Sequence, residues 1–272
     1  GDAAISLFTH KINCHGPLDF TDKKEMHEME YREKIYADYV ENVLSAANRV
    51  SESEWEGYFR FFRHNYNDIL PERKDARILD AGCGTGQFLY SLERMGYTNY
   101  LGVDGSASCV KFCQESGRPV ERADITQYLS AHSEEFDAIV LNDVIEHFTK
   151  EEAFALFSRA LDSLKQGGRL IVKTPNMGCP LFAGRGRYCD ITHEMGFTER
   201  SLETFFRASG FVNEKAFGPD VFTSPYTVAN ALCRVGWRLL TCLYQAIFFL
   251  YGYRGQAVMT RVLIGIGDKP AR

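Results

Sequence analysis

The sequence predicts an α/β fold on a mostly parallel sheet, and three observations carry that expectation. From residue 76 onward, short apolar runs alternate with helical segments, the rhythm of repeated βαβ units. The first run, Arg77-Ile-Leu-Asp-Ala81, leads directly into Gly82, Gly84 and Gly86 and then into a helix. Acidic or amide residues close the runs that follow, at the strand ends where open α/β sheets bind their ligands. At 272 residues, 45% hydrophobic and 25% charged, the chain can bury a full core, which excludes disorder, collagen and a small disulfide scaffold.

Taken in order, residues 22–48 read as a charged, mostly polar helix. Ser51-Glu-Ser-Glu54 is a capping box opening a second helix, which carries Trp55, Tyr58, Phe62, Tyr66 and Ile69 at helical spacing until Pro71 stops it. That stripe is either core packing or a lid over a ligand. Strands are expected at Arg77–Ala81, Tyr100–Val103, Val120–Ala123, Phe136–Leu141, Arg169–Lys173, Phe211–Phe217 and Val258–Ile266. Between the first two lies a helix from about Gln87 that ends at Gly96, and Thr198 caps another that ends near Gly210. The domain reading is an N-terminal helical extension over 1–72 and a second unit over 73–272, with an apolar helical insertion at about 219–256.

The glycine loop is the most informative segment. Alternating glycines let the backbone turn tightly and approach a ligand while the amides of the helix start point at it. The spacing fits neither the nicotinamide fingerprint, since Gln87 stands where the third glycine belongs, nor a P-loop, which needs a terminal Gly-Lys-Ser/Thr. Asp104 closes the second strand, 18 residues beyond Gly86, where a carboxylate can accept from both hydroxyls of a ribose. Asp124 closes the third strand, with Ile125 beside it, and could face an adenine amino group. The fourth ends in Asn142-Asp143. For each aspartate taken alone, a turn or cap role is the competing reading.

This ordered set resembles the class I S-adenosylmethionine-dependent methyltransferases. The residues that carry the resemblance are Asp80-x-Gly82-x-Gly84-x-Gly86, Gly102-Val-Asp104, Ala123-Asp124-Ile125, Asn142-Asp143-Val-Ile-Glu-His147 and Leu164-Lys-Gln-Gly-Gly-Arg-Leu-Ile-Val172. The match covers residues 76–174 well and the rest loosely. It implies a Rossmann-like seven-stranded, mostly parallel sheet with an antiparallel last strand and helices on both faces, and S-adenosyl-L-methionine as cofactor. It also implies that Asp80, Gly82, Gly84 and Gly86 surround the methionine end, Asp104 the ribose, and Asp124 and Ile125 the adenine. Asn142 would stand by the sulfonium, with Gly105 and Asp143 also among the cofactor-binding residues. Ile145-Glu146-His147-Phe148 looks like the ubiquinone-biosynthesis O-methyltransferases, and Asp190-Ile-Thr-His193-Glu-Met-Gly-Phe-Thr198 resembles bacterial enzymes that modify sugars or lipid-linked intermediates.

Methyl transfer to a hydroxyl needs alignment, exclusion of water and removal of a proton, the last a task for a histidine near neutral pH. His147 and His193 are the candidates for that base; structural or loop roles compete for both. A metal made from Glu146, His147, Asp143 or His193 is not expected, because neighbours on a helix point to different faces. The expected function is O-methylation of a small-molecule hydroxyl on a sugar, quinone or lipid-linked intermediate. The alternatives are N-methylation of a small amine and a non-catalytic cofactor-binding partner subunit. Nucleic acid is not expected as a substrate, since Asn142-Asp-Val-Ile145 lacks a Pro-Pro-aromatic motif and the body is acidic.

Charge is unevenly spread. Residues 221–272 carry Arg234, Arg238, Arg254, Arg261, Lys269 and Arg272 against Asp268 alone, within a chain of net charge −5. On a helix over 228–250, Arg234, Arg238, Thr241 and Gln245 form one polar stripe, while Leu232, Val235, Leu239, Leu243, Ile247 and Leu250 occupy the other side. This reads as an interfacial helix making peripheral membrane or lipid contact through 226–253, or as one packed on the body or across a homodimer. The longest uncharged stretch, between Arg238 and Arg254, is too short to span a bilayer. Eight cysteines without a C-x-x-C pair and the lack of a signal-peptide pattern lead to the expectation of a reduced cytoplasmic setting, peripheral to the inner face of the membrane if the lipid reading holds.

Overall fold

The computed structural model describes residues 51–221, 223, 227–252 and 258–271. The helix expected over 22–48 lies outside them. The first described helix, α1 (Glu52–Tyr66), opens on its capping box, with the Glu54 carboxylate accepting from the Ser51 amide at 2.7 Å. The chain then alternates through β1 (Ile78–Ala81), α2 (Gln87–Arg94), β2 (Tyr100–Asp104), α3 (Ala107–Glu115), β3 (Val120–Arg122), α4 (Ile125–Ala131) and β4 (Phe136–Asn142). A single 3-10 turn, Ile145–His147, precedes α5 (Lys150–Ser163) and β5 (Leu164–Pro175). It ends with α6 (Ala183–Tyr188), α7 (Glu199–Ala208), β6 (Val212–Phe217), α8 (Val228–Leu250) and β7 (Val262–Asp268).

The seven strands order as β3-β2-β1-β4-β5-β7-β6. The pairs among β1 to β5 are parallel, while β7 runs antiparallel to both β5 and β6. The expected sheet, including its antiparallel last strand, is therefore present. Strand order reverses between β1 and β4, and the registers Ala81 with Val103, Asp104 with Arg122 and Asn142 with Lys173 bring their carboxyl ends to one edge. A ligand cleft is expected there.

Side-chain alternation divides the core between the two faces. Ile78, Val140, Ile171 and Ile264 pack against Phe61, Phe62 and Tyr66 of α1 and Phe88 and Leu92 of α2. Leu79, Ile139, Leu141, Leu170 and Val172 pack with Leu156 and Phe157 of α5 and Leu202 and Phe206 of α7. Of the aromatic stripe, Phe62 and Tyr66 are core, Tyr58 and Ile69 pack partly buried against it, and Trp55 is half-buried.

Two strand boundaries depart from the sequence reading by more than two residues. β5 starts five residues early, because Leu164 pairs with Phe136 ahead of a bulge in which Gly167 takes a left-handed conformation. β7 starts at Val262 rather than Val258: the Asn176 side-chain amide holds the carbonyls of Val258 and Thr260 at 2.7 and 2.8 Å, keeping that stretch out of the ladder. Side-chain capture of backbone carbonyls is invisible to apolar patterning.

The α8 helix falls on its expected residues, but its orientation is informative. Arg234, Thr241 and Gln245 are half-buried, and Arg234 pairs with Asp220 at 3.3 Å, whereas Leu232, Leu239 and Leu250 are 67%, 68% and 82% exposed. Three residues of the polar stripe face the body, the fourth, Arg238, is exposed, and the apolar stripe faces outward. No helix among the described residues is long and apolar enough to cross a membrane.

Candidate active site

The glycine loop after β1 is wound through left-handed conformations, with φ of 82° at Gly82, 52° at Gly84 and 80° at Gly86. A Cβ on Gly82 would stand 2.5 Å from Val144 Cγ2, so this position is closed to any side chain. Gly84 has nothing within 4 Å of its would-be Cβ, leaving an open approach to the backbone. The Gly84 and Ser106 amides each donate to one oxygen of Asp104, at 2.8 Å. Burial raises the Asp104 carboxyl, offset by those two amides, and each oxygen keeps a lone pair for a hydroxyl. Gly105 follows at the strand end; a Cβ there would meet only the Ala123 carbonyl, at 4.0 Å, and its own carbonyl accepts from Arg122 Nε at 3.2 Å.

Asp80 is 1% exposed, and among the described residues neither of its carboxyl oxygens has a hydrogen-bond partner. Burial, with the charge of Asp104 adding to it, pushes this carboxyl up to about 8. A buried orphan of this kind is costly unless a cationic or donating ligand completes it. Asn142 behaves similarly: its Oδ1 accepts from the Tyr66 hydroxyl at 2.6 Å, and its Nδ2 is buried without a partner. An open glycine backbone and an orphan carboxyl at one sheet edge fit a compact cofactor with an ammonium group, and the orphan N–H of Asn142 fits an acceptor such as that cofactor's carboxylate.

Asp124 does cap a helix, accepting from the Gln127 amide at 2.9 Å, and Ile125 packs on the core. The cap uses Oδ1 and does not engage Oδ2. Asp143 takes a left-handed φ of 57° and pairs with Lys173, a lysine only 8% exposed at the carboxyl end of β5.

Beyond the end of β4, the 3-10 turn meets the 176–198 segment. Glu194 and Met195 donate their amides to the Glu146 carbonyl at 2.7 and 3.1 Å, which fixes this contact. His147 and His193 stand edge to face with centroids 4.8 Å apart. His147 Nδ1 lies 2.8 Å from Thr192 Oγ1, whose proton goes to Asp190 Oδ1 at 2.6 Å. His193 Nδ1 donates to the Gly186 carbonyl at 2.8 Å. Burial, reinforced by His193, lowers His147 to about 4, so its imidazole is neutral at physiological pH. Glu146 is 2% exposed and accepts from Thr174 at 3.1 Å; burial first, then the charge of Asp143, raises its carboxyl to about 8.

The turn is too short to splay neighbouring side chains as a longer helix would. Glu146, His147 and His193 each bring one donor atom within 4.8 Å of the other two, closer than the sequence reading allowed. Sequence reasoning missed Tyr66, Lys173, Asp190 and Thr192. A lysine closing the apolar run Leu170–Val172 was a usable signal for one of them; nothing local couples Thr192 to His147, 45 residues away.

A family model described as a methyltransferase domain matches residues 55–216. A ubiquinone biosynthesis O-methyltransferase of Chelativorans sp. is 33% identical over 105 residues, 37% of this chain and 40% of that protein. A tRNA U34 carboxymethyltransferase of Desulfotalea psychrophila is 30% identical over 130 residues, 46% of this chain and 38% of that protein. The chain thus spans less than half the length of these curated relatives. Among solved structures, a SAM-dependent methyltransferase from Archaeoglobus fulgidus superposes with a TM-score of 0.57 at 23% identity, covering 75% of this chain and 91% of that one. A plantazolicin methyltransferase complex superposes with a TM-score of 0.55 at 14% identity, covering 88% of this chain and 94% of that one. At these identities the structural matches speak for the fold.

Proposed function

Since this chain belongs to the methyltransferase-domain family, an enzyme family member with S-adenosyl-L-methionine as its cofactor, we propose that it methylates a hydroxyl group on a small molecule. The acceptor class is a sugar, a quinone or a lipid-linked intermediate. One observation carries the oxygen assignment: the His147 imidazole, on the turn five residues after Asn142, is anchored through Nδ1 on Thr192 Oγ1 at 2.8 Å. A hydroxyl must lose a proton as it attacks, and a neutral imidazole near the methyl group supplies that base. The ubiquinone O-methyltransferase relative agrees with this reading.

When bound, the cofactor supplies an electrophilic methyl on a sulfonium, open to in-line displacement. Asp80 and the Gly82–Gly86 backbone would hold its methionine end, Asp104 and Gly105 the ribose, and Asp124 Oδ2 with Ile125 the adenine. Tyr66 fixes the Asn142 amide through its Oδ1, so that Nδ2 stays directed at the cleft. Lys173 holds Asp143 in its left-handed turn and thereby sets where the chain leaves β4 for His147. The Nε2 atoms of His147 and His193 are the basic nitrogens on the acceptor side, His147 being the base and His193 the ring packed against it. We further place the protein in the cytoplasm at the inner face of a membrane, held by the outward apolar stripe of α8. A homodimer joined through that stripe is the competing arrangement.

The test is S-adenosylhomocysteine release with hydroxylated acceptors, run on the native chain and on His147→Ala and His193→Ala. His147→Ala should cut turnover at saturating cofactor about a hundredfold while leaving cofactor affinity unchanged, given the ~10²–10⁴-fold worth of a general base. If both variants keep turnover within tenfold, the acid–base reading fails, and N-methylation of an amine that is already neutral takes its place.

A further inference from the structure

We infer that Thr192 and Asp190 are a positioning pair that locks His147 into the single tautomer able to accept a proton at Nε2. The inference rests on the reading of His147 as the base. Its argument is a count of protons. Ionised Asp190 can only accept, and its Oδ1 receives both the Thr192 amide at 2.9 Å and the Thr192 hydroxyl at 2.6 Å. A threonine hydroxyl has one proton. With that proton spent on Asp190, Thr192 Oγ1 can only accept, so His147 Nδ1, at 2.8 Å, must be the donor. The ring proton is then on Nδ1 and the lone pair on Nε2. The opposite tautomer would set two lone pairs against each other at hydrogen-bond distance.

The surroundings keep this arrangement in place. Thr192 is fully buried, and the residues after it are tied down by the Glu194 and Met195 amides on Glu146 and by the Arg187 guanidinium on the carbonyls of His193 and Glu194. The hydroxyl therefore cannot swing away at low cost. The charged and titratable groups facing His147 are Asp190 and Asp143, which favour its charged form, and His193 and the adjacent Glu146. The logic is that of an acid–hydroxyl–imidazole relay, with the carboxylate orienting the base through an intervening side chain.

The test uses the full chain and two readouts. In ¹⁵N-histidine spectra of the native protein, His147 should show a protonated Nδ1 and an unprotonated Nε2. Thr192→Val removes the hydroxyl at nearly constant volume and should give a mixture of tautomers; Thr192→Ser should restore the native pattern. Turnover at saturating cofactor should fall about tenfold or more in Thr192→Val and return in Thr192→Ser, with cofactor affinity unchanged in both, a smaller loss than that seen when a triad carboxylate is neutralised. Asp190→Asn, which can donate to Thr192 and reverse the relay, should behave like Thr192→Val and serves where the valine variant does not fold. A native His147 carrying its proton on Nε2, or a Thr192→Val spectrum identical to the native one, overturns the inference. Failure of the underlying reading is distinct: His147→Ala would then keep its turnover whatever the tautomer spectra show.

Discussion

The two sides of the proposed cleft, one assigned to the cofactor and one to the acceptor, are built in opposite ways. The proposed cofactor side is made of strand ends and the turns directly after them: Asp80 to Gly86, Asp104 with Gly105, Asp124 with Ile125, and Asn142. Each piece is local, and the parallel sheet aligns the pieces because β1, β2 and β4 are neighbours. The acceptor side joins one turn after β4 to a segment some 45 residues later, and its central hydrogen bond, His147 to Thr192, exists only because the chain returns. Local construction makes the first side rigid and easy to recognise; the second can change its segment, and so its substrate, without disturbing the cofactor.

The strongest way to break this contrast is Gly82→Val. A β-branched residue at φ 82°, with its Cβ 2.5 Å from Val144 Cγ2, cannot keep the loop where it is. Such strain costs ~1–3 kcal/mol before the clash is added, so cofactor affinity should fall by about a hundredfold or more while far-ultraviolet circular dichroism stays native. Calorimetry showing cofactor affinity within a few-fold of the native value would mean that the loop does not shape the site.

A smaller effect sharpens the contrast through pH. Asp80 and Glu146, one on each side, are both raised by burial to about 8. Between their unfolded values and pH 8 the folded chain keeps protons that the unfolded chain has released, so the contribution of these groups to stability is full at acid pH and is lost as pH rises through about 8. Asp80→Asn removes one of the two, and the melting temperature of the cofactor-free variant should gain on the native protein between pH 6 and pH 9. Its cofactor affinity should drop roughly tenfold, as expected for losing hydrogen bonds to a charged group. A melting temperature that rises for the native chain relative to the variant over that range would contradict the orphan status of Asp80.

The smallest effect on catalysis belongs to neither side. Leu239→Glu with Leu243→Glu, on the outward face of α8, should leave turnover with a water-soluble acceptor unchanged and abolish co-sedimentation with anionic vesicles. Absence of vesicle binding by the native chain would leave the apolar face to a second subunit, which sizing by light scattering would reveal.

Much of the fold was legible because it depends on short-range rules. Glu54 closing the box on Ser51, the left-handed glycines and the apolar runs of β1, β2 and β4 all follow from residues within a turn or a strand of each other. The start of β7 was not legible, since it is set by the Asn176 side chain reaching residues more than 80 positions away. The α8 helix was read correctly along its length, yet which stripe would face the body depended on Asp220 waiting for Arg234.

By itself, the sequence determined the sheet, the glycine loop and the acidic strand ends, because spacing along a strand or turn fixes spacing in space, and the family resemblance carried by those residues implied the cofactor class. Only the tertiary structure decided that Asp80 is an orphan, that Tyr66 reaches Asn142, and that Thr192 reaches His147. Those are contacts between distant parts of the chain, made by packing, and neither residue of such a pair carries a local sign of the other.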